Sequence, residues 1–335
     1  MNGKINRVNV LKILGIIAIF AFGVLAGYSY PNKKDVLSVS SVREESTHYK
    51  FINPLLFVRV PEELAFPKYS HLEKEATEYI KKATVEKRAV DMTIYFRDLN
   101  SSQWVGVNEE KRFSPGSMLK VVTLISLLRA AEKNPDLLSK TVFVTGDKDS
   151  ISWQKQEAYP PADPILPGKY YTVEKLMSHL IIESDNTANH ILYQLAGEET
   201  VNKTYGDLDL SSSASDDLEG NTPTEYSHVF RTLYNSTYLS RNSSEKILNL
   251  LSQSNFVVGL VGGVPKGVAV AHKFGVANLN TNQTILHELH DCGIVYHPDS
   301  PYFLCVMTRG TDFKVLESVL QEVSSLIWKE VERLN

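Results

Sequence analysis

The stretch FSPGSMLKVVTLISLL, residues 113–128, sets one serine and one lysine, Ser117 and Lys120, in an otherwise apolar run. A serine hydroxyl is a poor nucleophile until a base takes its proton, and i, i+3 spacing on a helix puts both side chains on one face. A lysine serves as that base only when neutral, and burial or a second cation nearby moves its pKa in that direction. Pro115-Gly116 predicts a helix start at Ser117, where free backbone N–H groups and the positive end of the dipole can support developing negative charge. Ser-x-x-Lys alone says little, because it also occurs at Ser152 and Ser243. Ser152 falls in a polar loop and Ser243 opens an ordinary amphipathic helix, so only Ser117 opens a long apolar one.

Two further stretches carry polar groups that want a partner. In ESDNTANHILYQLAG, Ser184-Asp185-Asn186 forms the joint between two apolar helices, where a hydroxyl and a carboxamide can be aimed into a groove. The same residues are favoured helix caps, and the sequence leaves capping and chemistry both open. In AHKFGVA, strand alternation puts Lys273 and Gly275 on one face, a cation beside an open backbone edge. An edge lysine that discourages strand pairing would read the same way.

In this order and these settings, the three stretches resemble the Ser-x-x-Lys, Ser-Asp-Asn and Lys-Thr-Gly set of class A β-lactamases and penicillin-binding proteins. The resemblance runs over most of residues 71–335 and leaves out the first 70. It implies a nucleophile at Ser117, its base at Lys120 and a proton relay to the leaving nitrogen at Ser184. It further implies that Asn186 binds a substrate amide and that Lys273 binds a substrate carboxylate while holding Ser184. The backbone N–H groups of Ser117 and Val276 would form the oxyanion hole, and Gly275 would leave room for substrate against the strand. The implied substrate is a β-lactam or the stem peptide of peptidoglycan, with no cofactor.

Two departures from the family pattern stand out. Phe274 occupies the position of a carboxylate-binding hydroxyl, so carboxylate-bearing substrates are expected to bind weakly. The glutamate that normally activates the deacylating water has no counterpart in YGDLDLSSSASDDLEGN, residues 205–221. Its acids are Asp207, Asp209, Asp216, Asp217 and Glu219, and Glu219 lies only four residues before Pro223. Acylation with slow deacylation is the consequence.

These groups need a scaffold of two lobes. A helix from His71 to about Arg88 and a strand from Asp91 to Arg97 open it. A helical middle follows, with helices at 117–133, 172–183 and 187–196 and two more in TPTEYSHVFRTLY and SSEKILNLLSQ. Strands in VAVAHKFGVA, HDCGIVYH and YFLCVMT and a terminal amphipathic helix then return to the first lobe. The class is α/β: an antiparallel sheet flanked by N- and C-terminal helices, with an inserted all-helical lobe.

Outside that domain, Lys4, Arg7 and Lys12 precede the apolar run Ile13 to Gly27, closed by Tyr28 and Tyr30. Residues 1–30 are expected to be a membrane anchor or a cleaved signal, with 31–70 a linker and the domain outside the cytoplasm, at a bacterial membrane or secreted. Export permits a disulfide between Cys292 and Cys305, and the sequence leaves oxidised and reduced forms open. A balance of 35 basic against 39 acidic residues gives no bulk positive field for nucleic acid. A metal site in HELHDC is disfavoured, because His287 and His290 point to opposite faces of a strand. The remaining classes are a β-lactamase, a D,D-peptidase of the same chemistry and a non-catalytic cell-wall binding module. A binding module has no reason to keep a lysine buried beside a serine.

Overall fold

A computed structural model describes residues 40–43, 49–59, 67–146, 158–211, 220–280 and 285–335. The N-terminal apolar run, Ser152 and the acids Asp216, Asp217 and Glu219 lie outside them. Among the described residues, no helix is long and apolar enough to cross a membrane.

Strands β1 (Ser40–Arg43) and β2 (Leu55–Arg59) pair antiparallel, and helix α1 follows at Ser70–Val85. The hairpin β3 (Asp91–Asp98) and β4 (Trp104–Val107) leads into the helical lobe. That lobe holds α2 (Lys120–Lys133), α3 (Asp136–Ser139), the ribbon β5 (Thr141–Phe143) and β6 (Tyr170–Thr172), then α4 (Val173–Ile181) and α5 (Asn186–Ala196). Next come α6 (Glu198–Asp207), α7 (Pro223–Tyr234) and α8 (Arg241–Leu251). Strands β7 (Val270–Asn280), β8 (Ile285–Val295) and β9 (Tyr302–Gly310) return to the sheet, and α9 (Phe313–Leu334) closes the chain.

The main sheet is antiparallel in the order β4-β3-β9-β8-β7, which leaves β7 on an edge. Its two faces bury two cores. Along β9, Phe303, Cys305 and Met307 face the helical lobe, whereas Tyr302, Leu304 and Val306 face the layer of α1 and α9. A strand buried on both faces is apolar throughout, and only its alternation assigns each side chain to a core. Cys292 and Cys305 stand opposite each other across β8 and β9 and are joined in a disulfide, which resolves the two forms left open by the sequence.

The helix Glu198–Asp207 is an addition to the elements expected from sequence, where its last residues were assigned to the loop 205–221. Its polar composition and the glycine before it hide the signal, and only Val201 and Thr204 are buried. Helix α7 starts at the proline of TPTEY and carries a reciprocal cap: Thr222 and Glu225 each accept from the other's backbone N–H.

Candidate active site

The chain reaches Ser117 through a tight turn instead of the regular α-helix start expected from Pro115-Gly116. Gly116–Leu119 is a 3-10 turn and the α-helix begins at Lys120. Side chains three apart eclipse on a 3-10 turn, which brings Lys120 over Ser117 more directly than an α-helix would. Glycines on both sides allow this turn to press on strand β7. Gly116 has φ +51°, and a Cβ there would meet Val276 O at 2.3 Å. A Cβ on Gly275 would meet Pro115 O at 2.2 Å. Gly275 therefore makes room for the turn, where the resemblance assigned that space to substrate. Since the Val276 carbonyl faces the turn from the sheet edge, its N–H lies on the same open side of the strand.

Strand β8 holds the turn from behind. Glu288 accepts from the Ser114 N–H at 3.0 Å, and its other oxygen accepts from Arg309 at 2.7 and 2.9 Å. Thr308 N–H donates to His290 Nδ1 at 3.2 Å, which leaves His290 Nε2 to donate to the Ser114 carbonyl at 3.1 Å. Glu288 and His290 are fully buried and hold the turn, and His287 instead stacks on Phe313 across the sheet. Among the described residues, no cluster of His, Cys, Asp and Glu could hold a metal ion.

Lys120 is 4 % exposed and its Nζ touches four oxygens. They are Ser117 Oγ at 3.0 Å, Ser184 Oγ at 3.1 Å, Asn186 Oδ1 at 2.6 Å and the Ser184 carbonyl. The carbonyl and the carboxamide oxygen only accept, and so take two N–H groups, whereas the two hydroxyls can donate. A neutral amine fits this set with two N–H groups to the two obligate acceptors and its single lone pair toward one hydroxyl. Burial pushes the Lys120 ammonium down to about 7, against the opposing pull of the Asp185 charge.

Ser184 sits at φ +56°, a left-handed conformation costing roughly 1–2 kcal/mol for a residue with a Cβ. The neighbours over-determine it. Asp185 caps α5 by accepting from Ala188 N–H at 2.8 Å, and its second oxygen accepts from Ile165 N–H at 3.0 Å. Capping and site geometry thus divide among the three residues: Asp185 caps, and Ser184 and Asn186 turn to Lys120. From the other side, Lys273 Nζ donates to Ser184 Oγ at 2.8 Å and to the Phe274 carbonyl at 3.1 Å. Burial lowers the Lys273 ammonium well below its ordinary value, Lys120 lowers it further, and Asp291 opposes both.

Phe274 is not a vacant position in the cleft. It faces the α1 and α9 layer, stacks on Phe256 at 4.3 Å and meets Tyr159 edge-on at 5.6 Å. Its ring also lies 4.0 Å from Lys273 Nζ. The aromatic partners come from distant segments, which is why the local motif could not announce them.

The cleft in front of Ser117 encloses about 840 Å³. Ser117, Lys120, Asn186 and Val276 line it, together with residues the motifs did not indicate: Asn189, His190, Tyr193, Gln194, Asn278 and Phe313. The first four of these repeat at three- and four-residue steps from Asn186 along α5, a spacing that could have marked them. Asp207, one of the loop's described acids, is spent on Lys203 at 2.7 Å and the Tyr238 hydroxyl at 2.8 Å.

The chain matches the beta-lactamase enzyme family over residues 73–331 and belongs to that family. It is a serine hydrolase with the β-lactamase fold. It is 22 % identical over 251 residues to Beta-lactamase VEB-1 of Pseudomonas aeruginosa, covering 68 % of this chain and 81 % of that one. Beta-lactamase L2 of Stenotrophomonas maltophilia is 34 % identical over 100 residues, 30 % of this chain and 31 % of its own. The TLA-3 extended-spectrum β-lactamase superposes with a TM-score of 0.66 at 20 % identity, over 77 % of this chain and 99 % of its own. PBP-A superposes at 0.65 with 19 % identity, over 79 % and 97 %. A PBP-A mutant in this group was solved as an acyl-enzyme complex with penicillin G, at 0.64 and 19 % identity over 79 % and 97 %.

Proposed function

We propose that the protein is an acyl-transfer enzyme that β-lactams or D-alanyl amides acylate at Ser117, with slow release of the acyl group. The four-oxygen environment of Lys120 Nζ carries this proposal, because its two obligate acceptors leave the amine lone pair for the Ser117 proton. Attack of Ser117 Oγ on the carbonyl carbon forms the new C–O bond while its proton passes to Lys120. The carbonyl oxygen, now negative, lies between the backbone N–H groups of Ser117 and Val276. As the C–N bond breaks, Ser184 gives its proton to the leaving nitrogen and recovers one from Lys120, with Lys273 holding its oxygen in place. Asn186 offers its carboxamide to a substrate amide.

Slow deacylation is supported by the sequence of the 205–221 loop and by the engagement of Asp207 elsewhere. A D,D-peptidase would follow the same steps on a peptidoglycan stem peptide. Export across a bacterial membrane is supported by the basic-flanked apolar run at residues 13–30 and by the disulfide. Labelling with a fluorescent penicillin, followed by peptide mapping, tests the proposal. Label on the Ser117 peptide, and none in Ser117→Ala, is expected; label elsewhere would refute it.

A further inference from the structure

The stretch HELHDC, disfavoured as a metal site, has a different task in this fold. Glu288 and His290 are two apart on β8 and share its face toward the helical lobe, where both are 0 % exposed. Between them they take both main-chain groups of one residue: Ser114 donates its N–H to Glu288 at 3.0 Å, and its carbonyl accepts from His290 Nε2 at 3.1 Å. Each is itself tied to β9, Glu288 through the Arg309 side chain at 2.7 and 2.9 Å and His290 through the Thr308 N–H at 3.2 Å. Burying a carboxylate and an imidazole is costly, and an apolar pair of similar volume would fill the same space. What the polar pair adds is direction, because hydrogen bonds of opposite sense fix both the place and the tilt of the peptide groups that flank Ser114.

Ser114 lies three residues before Ser117, and the strand that grips it also carries the other wall of the site. His290 stands opposite Gly275 in the pairing of β7 with β8, and Leu289 stands opposite Val276. The turn that bears the Ser117 N–H and the strand that bears the Val276 N–H are therefore both referenced to one short stretch of β8.

We propose that Glu288 and His290 are positioning residues that set the spacing of the two oxyanion donors, the N–H groups of Ser117 and Val276, and so act on the tetrahedral state and not on substrate binding. Their effect passes through Ser114 and the turn. The proposal rests on acylation at Ser117 and adds this pair of residues to it.

The test follows adduct formation by intact mass on the full chain over a range of benzylpenicillin concentrations, which separates the limiting acylation rate constant from the half-saturating concentration. In His290→Leu, which loses donor and acceptor together, the rate constant should fall about 10²-fold while half-saturation stays within about threefold of wild type. His290→Gln, whose carboxamide offers one donor and one acceptor, should recover at least about tenfold of that loss. Glu288→Ala opens space instead of filling it and should repeat the fall, which keeps the test decisive where His290→Leu does not fold. Phenylboronic acid, whose boron takes Ser117 Oγ to form a tetrahedral adduct as the serine proton passes to Lys120, should lose affinity in the slow variants by a similar factor. Unchanged rate constants in the folded variants, a loss confined to half-saturation, or equal losses in His290→Leu and His290→Gln would overturn the inference while leaving acylation at Ser117 standing. No adduct on wild type would overturn acylation at Ser117 itself and this inference with it.

Discussion

Lys120 Nζ lies 3.0 Å from Ser117 Oγ, one 3-10 turn away along the chain, in a site where the lysine is almost wholly buried. That proximity joins the proposed nucleophile to its proposed base, whose protonation can be read by titration.

Because burial brings Lys120 to about 7, the ammonium loses its proton as pH rises through that value. Acylation should therefore be slow in acid, climb through about pH 7 and level off above it. Lys120→Arg, charged at every accessible pH, should lose this rise and acylate at least about 10²-fold more slowly. Stopped-flow acylation across pH checks both, and a flat wild-type profile would count against Lys120 as the base.

Phe274→Thr exchanges a packed aromatic for a small polar group in a buried cluster. A loss of roughly 3 kcal/mol in stability is expected, with acylation no faster than wild type. Thermal unfolding and labelling rates measure the two effects. Faster acylation at unchanged stability would restore Phe274 to the cleft as a missing hydroxyl.

Gly275→Ala inserts a methyl 2.2 Å from the Pro115 carbonyl oxygen. The Ser117 turn must then retreat from β7, separating the two backbone N–H groups proposed for the oxyanion hole. A misplacement near 1 Å can cost about 10²-fold in rate, so acylation should fall by that order while the fold survives. Wild-type acylation in a folded Gly275→Ala protein would contradict this account of the turn.

The parts of the site that were legible in the sequence are local. Ser117 and Lys120 share one turn, and Ser184, Asp185 and Asn186 share one joint, so spacing alone groups them. The sheet and its flanking helices were legible because β7, β8, β9 and α9 carry regular alternation or periodicity. What the sequence hid depends on distant contacts: Tyr159 and Phe256 around Phe274, and Glu288 and His290 behind Ser114. Phe274 is instructive, since strand alternation already separated it from Lys273, while motif correspondence drew it toward the cleft. Gly275 was found but explained by substrate, because nothing local indicates that Pro115 approaches it.

A general base beside an ester contributes about 10²–10⁴-fold, and the loop that would supply one carries its acids at unfamiliar positions. The adduct on Ser117 should therefore persist for minutes or longer, and Glu219→Gln should leave its lifetime unchanged. Rapid multiple-turnover β-lactam hydrolysis that disappears in Glu219→Gln would identify that residue as the deacylating base.

The most direct test of the account is intact mass followed over time after adding a β-lactam to wild type, Ser117→Ala and Ser243→Ala. Wild type and Ser243→Ala should each gain a single adduct and Ser117→Ala none. Equal adduct formation in wild type and Ser117→Ala would contradict it.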